Sequence, residues 1–225
     1  MTQAEHNPNS PFFHEARHAP LTAFSARLIT VCGAGTLGAN LTETLARMGF
    51  THLRLIDKDQ VETRNLSVQP YSRAETGAPK ARALANTLYR AVQARIEPQV
   101  IELTATNAPG LLRESALVVD AFDNQQARAA VSLATRTAGL PCLHIGFSSD
   151  GLYGNGIWEP AYIVPTATPG DPCDYPLTRP FAMTLSSLAA RAVTDFFRTA
   201  LRHEFEITWN DLNIRYSPQA SVSSE

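Results

Sequence analysis

Three glycines and one acid within residues 28–57, LITVCGAGTLGANLTETLARMGFTHLRLID, have the types and spacing to hold a phosphorylated ligand. Gly33, Gly35 and Gly38 form a G-x-G-x-x-G turn directly after an apolar run. In such a turn the first glycine permits the tight bend, the second lets a phosphate approach the backbone, and the third lets helix and strand pack closely. The helix that follows offers free N–H groups and a positive dipole end to an anion. Asp57, nineteen positions beyond Gly38, closes the next apolar run and is placed to accept hydrogen bonds from ribose hydroxyls. These residues predict a nucleotide site without saying which nucleotide. Glycines that merely pack a helix on a sheet would leave the same pattern.

Three further residues carry potential chemistry. Lys80 begins an Ala-rich helical stretch, where a cation opposes the helix dipole at about 0.3–1 kcal/mol. It is either a solvated side chain or a phosphate ligand. Asp123, with Asn124, precedes QQARAAV, and this pair reads as a helix N-cap or as a carboxylate available to Mg²⁺. Cys173 lies in the Pro-rich stretch TATPGDPCDYPLTRP, while Cys32 and Cys142 read as small buried residues. His6, His14 and His18 fit no strong metal-binding spacing.

The elements that must position these residues alternate between strand and helix. RLITVC, LRLID, QVIEL, ALVVDA and PCLHIGF read as five strands. Between them come a helix burying Leu37, Leu41, Leu45 and Met48, a second from Lys80 to about Arg95, and a third from Asn124 to Ala138. This rhythm predicts an α/β fold, a Rossmann-like, mostly parallel sheet with helices on both faces. After Phe147 the rhythm breaks. SSDGLYGNGIWEPAYIVP reads as turn and antiparallel strand, about 165–181 as a crossover loop, Ala182 to Leu201 as a helix, and EITWNDLNIRY as a closing strand. The predicted organisation is a flexible N-terminal arm over 1–20, a single domain over 21–216 and a disordered tail over 217–225.

A length of 225 residues supports one sizeable core, and the formal charge of −2 gives no general attraction to nucleic acid or an anionic membrane. No apolar run reaches the roughly 18 residues needed to span a bilayer. Three widely spaced cysteines, an odd count, argue against a disulfide framework. The expectation is a cytoplasmic protein with reduced thiols, without nucleic-acid or membrane partners.

The segment after Asp57, DKDQVETRNLSVQPYSRAETGAPKARAL, resembles the ATP-binding segment of the MoeB/ThiF family, adenylating enzymes related to ubiquitin-activating enzymes. The family pattern is D-x-D-x-V-x-x-x-N-L-x-R-Q followed by G-x-P-K-A. This chain supplies Asp57, Asp59, Val61, Asn65, Leu66 and Gln69, then Gly77, Pro79, Lys80 and Ala81. A later D-x-x-D-N appears as Asp120, Asp123 and Asn124, and the resemblance spans about Arg27 to Tyr162. It implies ATP as the nucleotide, with Asp57 and Asp59 on the ribose, Asn65 and Lys80 on the phosphates, Asn124 beside them, and Asp123 on Mg²⁺. It further implies adenylation of the C-terminal glycine of a small ubiquitin-like or sulfur-carrier protein, by a homodimer or a heterodimer with a related subunit. The carboxylate is already ionised at neutral pH, so positioning and charge cancellation matter more than a general base. Along GLYGNGIWEP a strand edge would receive the threaded tail.

The chain departs from the family in two places. Val68 stands where N-L-x-R-Q has its arginine, which leaves Arg64 or Arg73 as substitutes and Arg17 or Arg27 as candidates for the arginine that a dimer partner provides. Cys173 stands where the first of two C-x-x-C pairs would start, but Pro176 replaces its partner and no second pair follows, so no zinc is expected. In related enzymes a cysteine in this region attacks the adenylate, which makes Cys173 a candidate nucleophile or else a leftover position. Arg179 either guides the partner's tail or anchors the loop. Two other readings stand beside the enzyme: an NAD(P)-linked oxidoreductase, which leaves the segment after Asp57 unexplained, and a non-catalytic ThiF-like partner subunit.

Overall fold

A computed structural model describes residues 7–17, 21–166 and 175–218, with the side chain of Arg17 outside that description. Cys173, His6 and His18 lie outside the described residues. The chain order is α1 Leu21–Ser25, β1 Ile29–Cys32, α2 Thr36–Arg47, β2 His52–Ile56, α3 Lys80–Val92, β3 Arg95–Gln99, α4 Ala108–Leu111 and β4 Leu117–Asp120. It continues with α5 Gln125–Ala138, β5 Cys142–Phe147, β6 Tyr153–Trp158, α6 Arg179–Thr199, β7 His203–Thr208 and β8 Asn213–Pro218.

One eight-stranded sheet runs in the order β3-β2-β1-β4-β5-β6-β7-β8. The first five strands of that row are parallel and the rest antiparallel. The predicted Rossmann-like α/β architecture is therefore present. Because successive strand residues point to opposite faces, Val31, Leu55, Val119 and Leu143 join the core beneath α2 and α6, whereas Cys32, Ile56, Val118 and Cys142 join a smaller core with α5. Chain order reverses between β1 and β4. In open α/β sheets ligands bind in the crevice beyond the strand ends at such a point.

Several boundaries differ from those the sequence predicts. The third strand is Arg95–Gln99 and not QVIEL: α3 ends at left-handed Gln93, and the chain pairs with β2 at once. This strand lies on the sheet edge, where Pro98 costs no interior ladder bond. EITWNDLNIRY is not one strand but the hairpin β7–β8, with Leu212 at φ 52° in the turn. That hairpin extends to Pro218, into the stretch read as tail, and α6 begins at Arg179, inside the stretch read as loop.

Part of the N-terminal arm is docked. Phe12 packs on the core, Ala16 is buried, and Phe24 of α1 stacks on Phe50 with ring centroids 4.0 Å apart. The strand read as an edge for a threaded tail is also different. β6 is bonded on one side to β5 and on the other to β7, so its ladder is closed to a guest strand.

Candidate functional site

The glycine turn leaves the end of β1 and opens α2. Gly33 takes φ 98°, and its amide donates to Ile56 O at 2.8 Å, tying the turn to β2. A Cβ on Gly38 would stand 1.9 Å from Gly33 O, so no larger residue fits there without moving the turn. A Cβ on Gly35 would meet nothing within 4 Å. Gly35 caps α2 and has no side chain to bond the first amides of that helix, which are left without an intrahelical partner. Thus Gly33 and Gly38 shape the turn, and Gly35 keeps its mouth clear.

The two acids after β2 differ in surroundings. Asp57 is buried, its Oδ2 accepting from the Ala34 amide at 2.6 Å and its Oδ1 from the Asp59 amide at 2.7 Å. Burial raises its pKa against the opposing pull of those two amides. The carboxylate therefore braces the glycine turn from below. Asp59 is open, its side chain 56% exposed, and its backbone oxygen accepts from the Lys80 amide at 2.8 Å. Lys80 itself is only 7% exposed, and Nζ reaches Asp59 Oδ2 at 3.6 Å. Among the described residues this is the one carboxylate within ion-pair distance of that ammonium. The Lys80 charge also acts at longer range on the buried Asp57 carboxylate, so the ammonium sits over both acids with no close ion pair to either, an arrangement that can accept an added anion.

The connection between the acids and the lysine folds back on the turn. Asn65 Oδ1 accepts from the Glu62 amide at 2.9 Å, so the side chain read as a phosphate ligand closes a capping box. Asn40 donates to Val68 O at 2.7 Å, and Tyr71 Oη donates to Ala34 O at 2.9 Å. Val68 is thereby a docking point on α2, and the Oε1 of Gln69 beside it has no partner among the described residues. Arg64 is exposed and bonds Glu62 at 2.7 Å, and Arg73 is exposed in a short 3₁₀ turn. Arg27 lines a cavity of about 310 Å³ with His52, Arg54 and Glu97, at the opposite end of the strands.

At the end of β4, Ala121 and Phe122 lie against Gly33, whose Cβ would be 3.0 Å from Ala121 O. Asn124 then caps α5 through Oδ1 to the Ala127 amide at 2.8 Å, while Asp123 stays exposed. The structure therefore brings together Gly33, Gly35, Gly38, Asp57, Asp59 and Lys80, with Asp123 and Asn124 on the adjoining strand end. No group of three or more His, Cys, Asp or Glu able to hold a metal occurs among the described residues. Mg²⁺ needs no such cage, since it is held by one or two carboxylates together with phosphate oxygens and water.

Sequence reasoning gave no role to the groups beneath this turn. Asp120 and His144 lie in one row across the sheet with Cys32. His144 Nδ1 is 2.8 Å from Asp120 Oδ2, and Nε2 is 3.1 Å from Glu159 Oε1. Arg128 lies 3.7 Å from Asp120 Oδ2 and donates to Tyr162 Oη and Ile145 O. Burial opposes the imidazolium, but hydrogen bonds to Asp120, Cys142 and Glu159 outweigh it and push His144 up to about 11. The legible signal was a histidine and a closing acid in otherwise apolar strands.

Comparison with known proteins fits this geometry. The sulfur carrier protein ThiS adenylyltransferase of Bacillus subtilis is 34% identical over 119 residues, 51% of this chain and 35% of that protein. The molybdopterin-synthase adenylyltransferase of Salmonella typhimurium is 33% identical over 123 residues, 51% of this chain and 47% of that protein. The chain thus matches less than half the length of these relatives. Among solved structures, E. coli MccB with ATP superposes at TM-score 0.73 with 17% identity, over 96% of this chain and 74% of that one, a likeness of fold. E. coli tRNA N6-threonylcarbamoyladenosine dehydratase in complex with ATP gives 0.59 with 26% identity, over 63% and 60%. No helix among the described residues is long and apolar enough to cross a membrane. Residues 10–157 match the ThiF family, and the chain belongs to it.

Proposed function

We propose that the chain is an adenylyltransferase that activates the C-terminal carboxylate of a small ubiquitin-like or sulfur-carrier protein with Mg·ATP. The observation that carries this reading is Lys80, a buried ammonium 3.6 Å from Asp59 and acting on Asp57, the carboxylate that braces a glycine turn with open space at Gly35. Family membership and the adenylyltransferase relatives support it.

In this reading the ATP phosphates lie over Gly35 and the α2 N-terminus, with Lys80 against them. Asp59 takes the ribose hydroxyls, and Asp57 keeps the turn in shape. Asn65 holds the loop that faces the phosphates, and Arg64, four positions before Val68 in the chain, takes the place of the missing arginine. Asp123 is the carboxylate for Mg²⁺, which when bound supplies charge neutralisation to the phosphates. A carboxylate oxygen of the carrier attacks the α-phosphorus, the bond to the β-phosphate oxygen breaks, and pyrophosphate leaves. No proton moves in this step. A second step is assigned to Cys173, whose thiolate attacks the acyl carbon as AMP departs, leaving a thioester. A dimer belongs to the same reading.

Thermal unfolding with Mg·ATP, with NAD and with neither is the first test, followed by ATP–pyrophosphate exchange with candidate carriers ending in glycine. Stabilisation by Mg·ATP but not NAD, with exchange above background, is the expected result. Stabilisation by NAD alone would restore the oxidoreductase. Binding of ATP with no exchange for any carrier would favour the non-catalytic partner, a reading that Val68 in place of arginine also favours.

A further inference from the structure

The ion network beneath the glycine turn takes part in none of these steps, yet it leads to Asp123. Arg136 Nε donates to Glu159 Oε2 at 2.7 Å and Ser132 Oγ to Glu159 Oε1 at 2.6 Å. Glu159 faces His144 Nε2, and His144 Nδ1 faces Asp120 Oδ2. The other oxygen of Asp120, Oδ1, accepts from the Phe122 amide at 3.1 Å. Phe122 belongs to the short turn that rests on Gly33 and ends in Asp123 and Asn124. Asp120 and His144 are fully buried, and the Tyr162 ring stacks on the imidazole at 3.7 Å.

A row of buried ions is a poor device for stability, because well-packed apolar residues of like volume usually serve as well or better. What it supplies is direction. One carboxylate oxygen of Asp120 is held by the imidazole at 2.8 Å, with Arg128 a looser 3.7 Å from the same oxygen, and the other is aimed along the chain at the Phe122 amide.

We propose that His144 is a positioning residue for the nucleotide site: by clamping Asp120 it fixes the β4–α5 turn against Gly33 and so sets where the Asp123 carboxylate stands. The proposal rests on the reading of Asp123 as the carboxylate for Mg·ATP. It assigns no contact between His144 and the nucleotide.

The test compares His144→Asn with His144→Gln. The asparagine amide nitrogen can stand where ring Nδ1 stands and keep the bond to Asp120; the glutamine nitrogen can stand where Nε2 stands and keep the bond to Glu159. Each variant loses the charge and one bond, so a merely structural role predicts like effects. The expected result, without ligand, is amide hydrogen exchange at Phe122 and Asp123 faster on the order of tenfold in His144→Gln, the scale of one lost hydrogen bond, and near wild type in His144→Asn. Calorimetric titration with ATP should show the gain from added Mg²⁺ reduced about tenfold in His144→Gln only, while ATP without metal binds equally to all three proteins.

Equal exchange at the turn in both variants overturns the proposal. If the wild type binds no ATP, the functional reading fails, and the exchange comparison still decides the role of His144. Should both variants fail to fold, the wild-type imidazole decides by nuclear magnetic resonance. A proton on Nδ1 at pH 7 to 9 supports the clamp, and a bare Nδ1 overturns it.

Discussion

Lys80 Nζ stands 3.6 Å from Asp59 Oδ2, with the lysine side chain 7% exposed and the aspartate 56%. The cation is thus hidden and its partner open, the reverse of a pair built for mutual stability. Lys80→Met should change stability little, because the desolvation cost it removes is offset by the loss of the cation's pull on the buried Asp57 carboxylate. The same change should abolish stabilisation by ATP. At 100 times its Kd, ATP adds about 2.7 kcal/mol to the wild type, or roughly 5–10 °C in Tm for a chain of this size. Lys80→Arg should not restore the effect, since a planar fork does not follow the phosphates as a compact ammonium does. Thermal scans with and without Mg·ATP read both quantities at once.

Gly35 and Gly38 separate shape from access. Gly38→Ala places a methyl group 1.9 Å from Gly33 O, backbone that cannot yield without deforming the turn, so stability should fall by about 1–3 kcal/mol or more. Gly35 sits at φ −75°, which alanine also adopts, and a Cβ there meets nothing. Gly35→Ala should stay within about 1 kcal/mol of wild type while losing most of the ATP-dependent shift in Tm. Urea titration of the free proteins together with ATP titration distinguishes the two glycines.

Asp57 and Asp59 should also part company. In Asp57→Asn an amide nitrogen must face one of two backbone N–H groups, and the lost bond costs about 1–3 kcal/mol of stability. Asp59→Asn disturbs only exposed surface and the carboxylate within ion-pair distance of Lys80, so its main effect should be on nucleotide affinity. Equal losses of stability in the two variants would contradict the division between a structural and a ligand-facing acid.

Much of this was legible because it is local. The glycine turn, Asp57 after the second strand and the Asp123–Asn124 cap are short-range patterns, and the structure places them together at the reversal between β1 and β4. The third strand is hard to place from sequence because Val100 and Ile101 look like strand residues, although they are 39% and 42% exposed and the pairing segment is Arg95–Gln99. An edge strand needs little apolar content, so its sequence signal is faint. The β7–β8 hairpin was hidden because its turn has no glycine; Leu212 itself takes the positive φ. The Asp120–His144–Glu159 network draws on three separated segments, and only sheet register brings them together.

Alkaline pH should expose that network in the stability of the free protein. The folded pKa of His144, about 11, lies above the unfolded value near 6.5, so the folded state keeps a proton that the unfolded chain releases. Its stabilisation is therefore complete below about pH 6.5 and declines as pH rises towards 11, at up to about 1.4 kcal/mol per pH unit. Cys142, pushed up to about 11 by burial, adds a decline of the same sign only above the ordinary thiol range near 8.5. Between pH 7 and 8, then, His144 supplies the slope. Urea unfolding across that interval should show wild-type stability falling with pH. In His144→Asn, which has no titrating ring, the curve should be nearly flat. A flat wild-type curve would mean that the imidazole is neutral in the folded state and that Asp120 and Glu159 hold it without its charge.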